Sequence, residues 1–150
     1  MTVVKRDNLL QIETKKYAII DATPRKISEK EAVEKLRVLL AESVRNTLFA
    51  KTGVFLSGGV DSSVVASIAC QYSAEPLETF TLTDDVNNAD AVYARFVAQQ
   101  INSNHTEIIT TLEDQISKLP YMIYLAEMPG KRGATFLIAE KAKEKIKVAL

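Results

Sequence analysis

Val54-Phe55-Leu56-Ser57-Gly58-Gly59-Val60-Asp61-Ser62-Ser63 decides how the rest of this chain is read. An apolar run enters a pair of glycines, and small polar residues lead out into Val64, Val65, Ile68 and Tyr72, which recur at helical spacing. Strand, tight turn and helix follow one another without a break. Gly58 and Gly59 let the backbone take positive φ and approach a ligand closely. The helix beyond them aims its free N–H groups and positive dipole end at the turn. Ser57, Ser62 and Ser63 add hydroxyls, and together these groups form a cradle for an anion such as a phosphate.

Two common phosphate loops are excluded. No Lys follows the glycines as GxxxxGK[ST] requires, and the spacing is not GxGxxG. Asp61 points elsewhere: a carboxylate beside a phosphate repels it unless a cation stands between them, so Asp61 predicts magnesium. As ordinary structure the stretch would be a glycine turn with Asp61 as helix N-cap. Two glycines, an Asp and three serines between an apolar strand and an apolar-faced helix are too particular for that, and the nucleotide reading is preferred.

Outward from the loop, strands and helices alternate. Gly53 to Leu56 reads as a strand, Asp61 to Tyr72 as a helix, and Leu77 to Thr83 as a strand after Pro76. Asp90 to Ile101 is helical, with Val92, Phe96, Val97 and Ile101 facing inward. Thr106 to Thr110 is a strand. Thr111 to Leu119 and Pro120 to Ala126 are helical pieces divided by Pro120. Ala134 to Lys145 is a helix, and Lys147 begins another strand. Before the loop, Ser28 and Glu31 fit a capping box, opening a helix with Val33, Leu36, Leu40, Val44 and Leu48 on one face. Residues 1–27 read as short strands, with Leu9–Ile12 and Tyr17–Ile20 joined through the polar Glu13 to Lys16 as a hairpin that Thr23-Pro24 breaks off. The alternation implies an α/β fold, a parallel sheet with helices on both faces, binding its ligand beyond the carboxyl ends of the strands.

Composition narrows the function classes. The chain has 150 residues, 47% apolar and 25% charged, as suits one globular domain. Nineteen basic residues balance nineteen acidic ones. A neutral chain has no electrostatic footprint for a polyanion, so nucleic acid is not an expected partner. The single Cys70 makes no internal disulfide and reads as buried core. No signal-like or membrane-length apolar run is present, and the expected location is the cytoplasm.

The run SGGVDSS, Ser57 to Ser63, resembles the signature of the ATP pyrophosphatase superfamily, the PP-loop enzymes, which include GMP synthetase, NAD synthetase and the asparagine synthetases. The wider chain is most similar to the glutamine-type asparagine synthetases. Lys35-Leu36-Arg37 with Glu42 to Arg45 resembles the helix before their loop, and Glu78 to Leu82 their second strand. Tyr93-Ala94-Arg95 resembles their next helix, His105-Thr106-Glu107 the strand after it, and Glu127-Met128-Pro129 and Ala139 to Leu150 continue the likeness. The resemblance spans about residues 28–150 and implies the first part of an ATP pyrophosphatase domain there, with residues 1–27 similar to the tail of a preceding glutaminase domain. In that family a Ser-Gly-Glu-Gly-x-Asp-Glu loop and a later Lys follow the position of Leu150. The glutaminase nucleophile is a Cys at position 2, where this chain has Thr2. The sequence therefore reads as a truncated piece of such a protein, with apolar surface and a sheet edge near Lys147 that predict self-association or a partner chain supplying the rest.

The resemblance implies ATP and magnesium as cofactors and an amide-forming ligase that adenylates the aspartate side-chain carboxylate, releasing pyrophosphate. Carried over position by position, Ser57, Gly58, Gly59, Asp61, Ser62 and Ser63 cradle pyrophosphate, with Asp61 on the metal. Leu56 and Leu82 flank the adenine, the latter through its backbone. Another PP-loop adenylating enzyme of the GMP or NAD synthetase kind, or an ATP-binding module without catalysis, remain the alternatives. His105 suits a structural role better than a catalytic one, Asp84 and Asp85 a solvated loop better than a metal pair, and Lys131 and Arg132 a surface loop better than a phosphate contact. Tyr72, Tyr93 and Phe96 fit helix packing.

Overall fold

Residues that alternate apolar and polar in the extended state, or run apolar on both sides, gain most from a sheet. The computed structural model describes residues 2–6, 9–14, 16, 18, 23–24, 26–127 and 133–150. The chain divides into two units, Met1–Ala32 and Val33–Leu150. In the first, β1 (Thr2–Arg6) and β2 (Leu9–Glu13) form an antiparallel hairpin with Thr2 opposite Glu13 and Arg6 opposite Leu9. The expected hairpin placed Leu9–Ile12 against Tyr17–Ile20 instead. Thr2–Arg6 takes that partner role, because Val3 and Val4 supply an earlier β-branched run that the sequence reading passed over. Tyr17, Ile19 and Ile20 lie outside the described residues.

The second unit is a parallel sheet. Its elements are most of α1 (Glu29–Thr47), then β3 (Thr52–Phe55), α2 (Val60–Tyr72), β4 (Glu78–Thr83), α3 (Ala89–Gln100), β5 (Asn104–Ile109), α4 (Leu112–Ala126), α5 (Gly133–Ala142) and β6 (Val148–Ala149). The strand order is β5-β4-β3-β6, with every pair parallel. The chain therefore walks outward from β3 to β4 and β5, then returns through α4 and α5 to the far side of β3. That reversal puts the switch point, where open parallel sheets bind ligands, at the end of β3.

Successive residues of β3 face opposite ways. Val54 and Leu56 enter a cluster with Val44 of α1, Ala66 and Ala69 of α2, Leu77, and Ala94 and Ala98 of α3. Phe55 turns to the other face and meets Phe80 edge-on at 6.4 Å, beside Ile138, Ala142 and Ile146. Helices thus cover both faces, as the alternation implied. The helix faces match the expected ones in part: Val65 and Ile68 of α2, Val97 of α3, Ile101 and Leu48 pack against the core, while other residues named with them do not. Val92 and Phe96 are 45% and 56% exposed, and Ala91, Ala94 and Ala98 face the sheet instead. In α2 the sheet-facing residues are Ala66 and Ala69, while Val64 and Tyr72 are exposed, and Tyr93 of α3 is exposed as well. Small side chains let the two helices lie close on the strands, which bulky valines there would prevent. Of the stripe expected on α1, Val44 is buried, whereas Val33 and Leu36 are exposed.

Pro120 does not divide α4, which runs unbroken through it from Leu112 to Ala126. Proline costs that helix one hydrogen bond. A capping box at its start and the buried Met122 past the proline hold it, and Tyr121 packs edge-on against Phe136 of α5 at 5.7 Å. Ser28 supplies one half of its expected box, accepting the Glu31 N–H at 3.2 Å. Cys70 is half-buried and donates to the Ile101 carbonyl at 3.2 Å. Among the described residues no helix is long and apolar enough to cross a membrane.

Candidate nucleotide site

The turn after β3 is held from below by the sheet. The Leu56 N–H donates to the Phe80 carbonyl at 2.8 Å, and the Thr81 hydroxyl donates to the Leu56 carbonyl at 2.5 Å. Both backbone groups of Leu56 are therefore occupied, and its side chain is 1% exposed in the core. Beyond it the chain turns through Gly58 at φ +80, the left-handed region that favours glycine. A Cβ at Gly58 would lie 2.1 Å from the Asp90 carbonyl oxygen, so the loop and the start of α3 interlock at this glycine.

α2 then starts at Gly59, an N-cap with no side-chain hydrogen bond to the helix. The N–H groups of its first turn are thus left uncapped, and Asp61 stands exposed in that turn. The three serines fold inward. The Ser62 and Ser63 hydroxyls both donate to the Gly59 carbonyl, at 3.1 and 2.7 Å, and Ser57 Oγ lies 3.0 Å from Ser62 Oγ. The Ser57 N–H also donates to Ser62 Oγ at 3.2 Å. The loop is shaped by its own hydroxyls, which would have to rotate to donate to a phosphate. A charge-assisted bond to an anion is about twice as strong as the neutral one it would replace, which makes that exchange favourable.

Beside the loop lies a cavity of about 290 Å³ lined by Ser57, Thr81 to Asp84, Asn88, Asp90, Ala91 and Gln115. Leu82, named from sequence, is on its wall; Leu56 is not. Thr81, Asn88, Asp90 and Gln115 were not singled out from sequence. Only Asn88 carried a local signal, as an Asn just before a helical run, and its side chain indeed accepts the Asp90 N–H at 2.9 Å. Asp84 borders this cavity, whereas Asp85 turns away and accepts the Asn87 N–H at 2.8 Å, so the two acids act separately. Among the described residues the lining holds two carboxylates and no basic side chain. A polyphosphate entering here needs a cation with it.

His105 lies away from this loop, on β5. Its Nδ1 is 2.9 Å from the Thr79 hydroxyl, which in turn lies 2.8 Å from Ser103 Oγ. Burial holds its pKa below the usual value, with Glu107 opposing that drop and Arg95 adding to it. Those contacts make it part of the packing between β4, β5 and α3, as expected for a structural histidine. Lys131 and Arg132 lie outside the described residues.

The asparagine synthase family model matches residues 35–150, which takes in the loop, the sheet and both helical layers. The chain belongs to the asparagine synthase family. Within it, the chain is similar to the glutamine-hydrolyzing asparagine synthetase of Gallus gallus, at 37% identity over 99 residues, 61% of this chain and 18% of that protein. The Homo sapiens asparagine synthetase is 34% identical over the same length. A second asparagine synthetase of Bacillus subtilis (strain 168) is 32% identical over 107 residues, 66% of this chain and 14% of that one. The matched stretch thus spans less than a fifth of the length of these relatives. Among solved structures, the NH3-dependent NAD synthetase of Campylobacter jejuni aligns with TM-score 0.51 and 20% identity, covering 82% of this chain and 56% of that one. The NMN synthetase of Francisella tularensis aligns with TM-score 0.50 and 22% identity, covering 83% and 54%. At those identities the likeness is one of fold, and it is the fold anticipated for the asparagine synthase chain from its loop.

Proposed function

We propose that this chain binds magnesium-ATP at the Ser57–Ser63 loop, as the first ATP-binding part of an amide-forming ligase of the asparagine synthetase type. The observation that carries the reading is the uncapped start of α2 behind a left-handed Gly58, in a chain of the asparagine synthase family. Pyrophosphate would lie against the N–H groups of Gly59, Val60 and Asp61, with Ser57, Ser62 and Ser63 turning to meet it. The adenosine would extend along the end of β4 toward Leu82.

Asp61 fits the metal. It is a single exposed carboxylate in the first helical turn, and among the described residues no cluster of three metal-ligating side chains competes with it. Magnesium usually takes one or two carboxylates and fills its remaining positions with phosphate and water. When bound it would neutralise the phosphate charge that the acidic cavity wall repels. The chain's own residues would orient the α-phosphate toward an incoming carboxylate and fix the departing pyrophosphate. In the whole enzyme the substrate is the aspartate side-chain carboxylate, which is adenylated with release of pyrophosphate, and ammonia then attacks the acyl carbon and displaces AMP. The setting is cytoplasmic amino-acid biosynthesis, with a further segment or a partner chain completing the site. Residues 1–27 belong, in this reading, to the end of a glutaminase domain and 28–150 to the beginning of the ATP pyrophosphatase domain.

Calorimetric titration of magnesium-ATP into the folded chain, beside Asp61→Ala, tests the reading. Saturable binding that weakens at least about tenfold in the variant is expected. A folded wild-type chain that takes up no nucleotide would overturn the assignment.

A further inference from the structure

One side chain ties the wall of the candidate cavity to the sheet. Arg95, on α3, donates from Nε to Glu107 Oε1 of β5 at 2.5 Å and from Nη2 to the Val86 carbonyl at 2.6 Å. Val86 lies in the segment between β4 and α3, the same segment that brings Asp84 and Asn88 to the cavity and the Asp90 carbonyl against Gly58. The other bonds of this segment are local. Thr83 Oγ1 donates to the Asp85 carbonyl, the Asn88 N–H donates to that same carbonyl, and the Asn87 N–H donates to Asp85 Oδ1. They fold the segment on itself and onto the end of its own strand. Among the described residues, Arg95 is the side chain that connects it to β5.

We propose that Arg95 is a positioning residue for the nucleotide site, holding the Asp84–Asp90 wall in register with the Ser57–Gly59 loop. The inference rests on the nucleotide reading above. A planar guanidinium can serve two acceptors in fixed directions at once, which a lysine ammonium on a flexible stem does not reproduce. Glu107 is well suited as the anchor. Its side chain is mostly buried, and His105 Nε2, a buried atom with no hydrogen-bond partner, faces its Oε1 at 3.7 Å. The carboxylate is thus committed to the arginine, and the arginine to the wall. Because Asp90 lies against Gly58 with no room even for a Cβ between them, a wall that shifts inward displaces the phosphate loop. Displacements near 1 Å suffice to impair such sites.

The test compares Arg95→Ala, Arg95→Lys and Glu107→Gln with the wild-type chain by residue-resolved amide exchange and by magnesium-ATP calorimetry. In Arg95→Ala the Asn87, Asn88 and Asp90 amides should exchange about tenfold faster while those of Ala66 and Ala69 stay as they were, and affinity should fall about tenfold. Arg95→Lys should resemble Arg95→Ala, and it decides the matter should the alanine variant not fold. Glu107→Gln, which keeps an acceptor oxygen, should fall between. Unchanged exchange in the wall, or acceleration spread evenly through the chain, overturns the proposal; so does local acceleration with full affinity. A wild-type chain that binds no nucleotide sinks the functional reading, while the exchange data still decide whether Arg95 holds the wall.

Discussion

Helix α4 begins beneath its own side chains, whereas α2 begins bare. At α4 the Thr111 hydroxyl accepts the Asp114 N–H at 3.1 Å, and Asp114 Oδ2 accepts the Thr111 N–H at 2.8 Å. At α2 the corresponding place is held by Gly59, which has no side chain to offer. Both starts follow a strand of the same sheet, and both carry an acidic residue in the first turn. The difference is what the first N–H groups meet: at α4 a hydroxyl and a carboxylate of the helix start itself, at α2 only a long contact from the Gly59 N–H to Ser57 Oγ, at 3.4 Å, behind a left-handed glycine. A helix start capped by glycine forgoes only about a few tenths of a kcal/mol of capping, and leaves its N–H groups for something else to occupy.

The sharpest way to break this contrast is to close the open start. Gly58→Ala puts a methyl group against the Asp90 carbonyl at a φ that L-residues disfavour. A stability loss on the order of 1–3 kcal/mol in denaturant unfolding is expected, with magnesium-ATP binding abolished in calorimetry. Thr111→Ala works on the other helix. It should cost about 1 kcal/mol of stability and leave nucleotide affinity untouched. Equal losses of affinity in both variants would mean that the two helix starts do not differ in function. Gly59→Ala is milder: its φ is −74, and the nearest atom to an added Cβ is Ser57 Oγ at 3.4 Å. A stability change of about 0.5 kcal/mol, measured by the same unfolding curves, is expected.

The smallest effect concerns pH. The Thr111 backbone N–H, followed by its hydroxyl, holds the Asp114 carboxyl below its usual value of 3.8. A carboxylate whose folded pKa is lowered stabilises the fold above its unfolded pKa, and that contribution is lost as pH falls through the folded value. Acid unfolding of Asp114→Asn, followed by circular dichroism, should therefore show a shallower dependence on pH below 3.8 than the wild-type chain. Asp114 is fully exposed, so solvent screening keeps the difference small.

Much of this contrast was legible in the sequence at α2 and little of it at α4. The loop declares itself through Gly58, Gly59 and Asp61, because few chains put that combination between an apolar run and a helix. The strand order was not legible. The return of β6 to the far side of β3 depends on how α4 and α5 pack, and no local pattern encodes that. The helix faces were misread in part for a related reason. Valines and aromatics dominate a hydrophobic pattern, and Val65, Ile68 and Val97 do pack beside the core, yet the fully buried residues of α2 and α3 are alanines, set by how near the helix must lie. Pro120 misled because a proline is weighed as a local break, and the tertiary contacts of Met122 and Tyr121 outweigh it here. At the cavity, Thr81 and Gln115 come from separate elements, and their convergence follows from topology alone.

The pairing of β3 on its two sides also sets a timetable. One side meets β4, with Gly53 opposite Glu78, as soon as the next helix has been made. The other side pairs Thr52 with Val148, and there the Leu150 N–H donates to the Gly53 carbonyl and the Phe55 N–H to the Leu150 carbonyl, partners that leave the ribosome only after α2 through α5 have all emerged. At ordinary translation rates that interval is roughly 5 to 20 seconds. Throughout it, the strand that leads into the glycine loop presents an unpaired row of N–H and C=O groups to whatever other extended segment is near. A slow stretch of codons or an abrupt stop ahead of Val148 would lengthen that exposure, so the yield of properly folded chain should depend on how quickly Val148 to Leu150 are made.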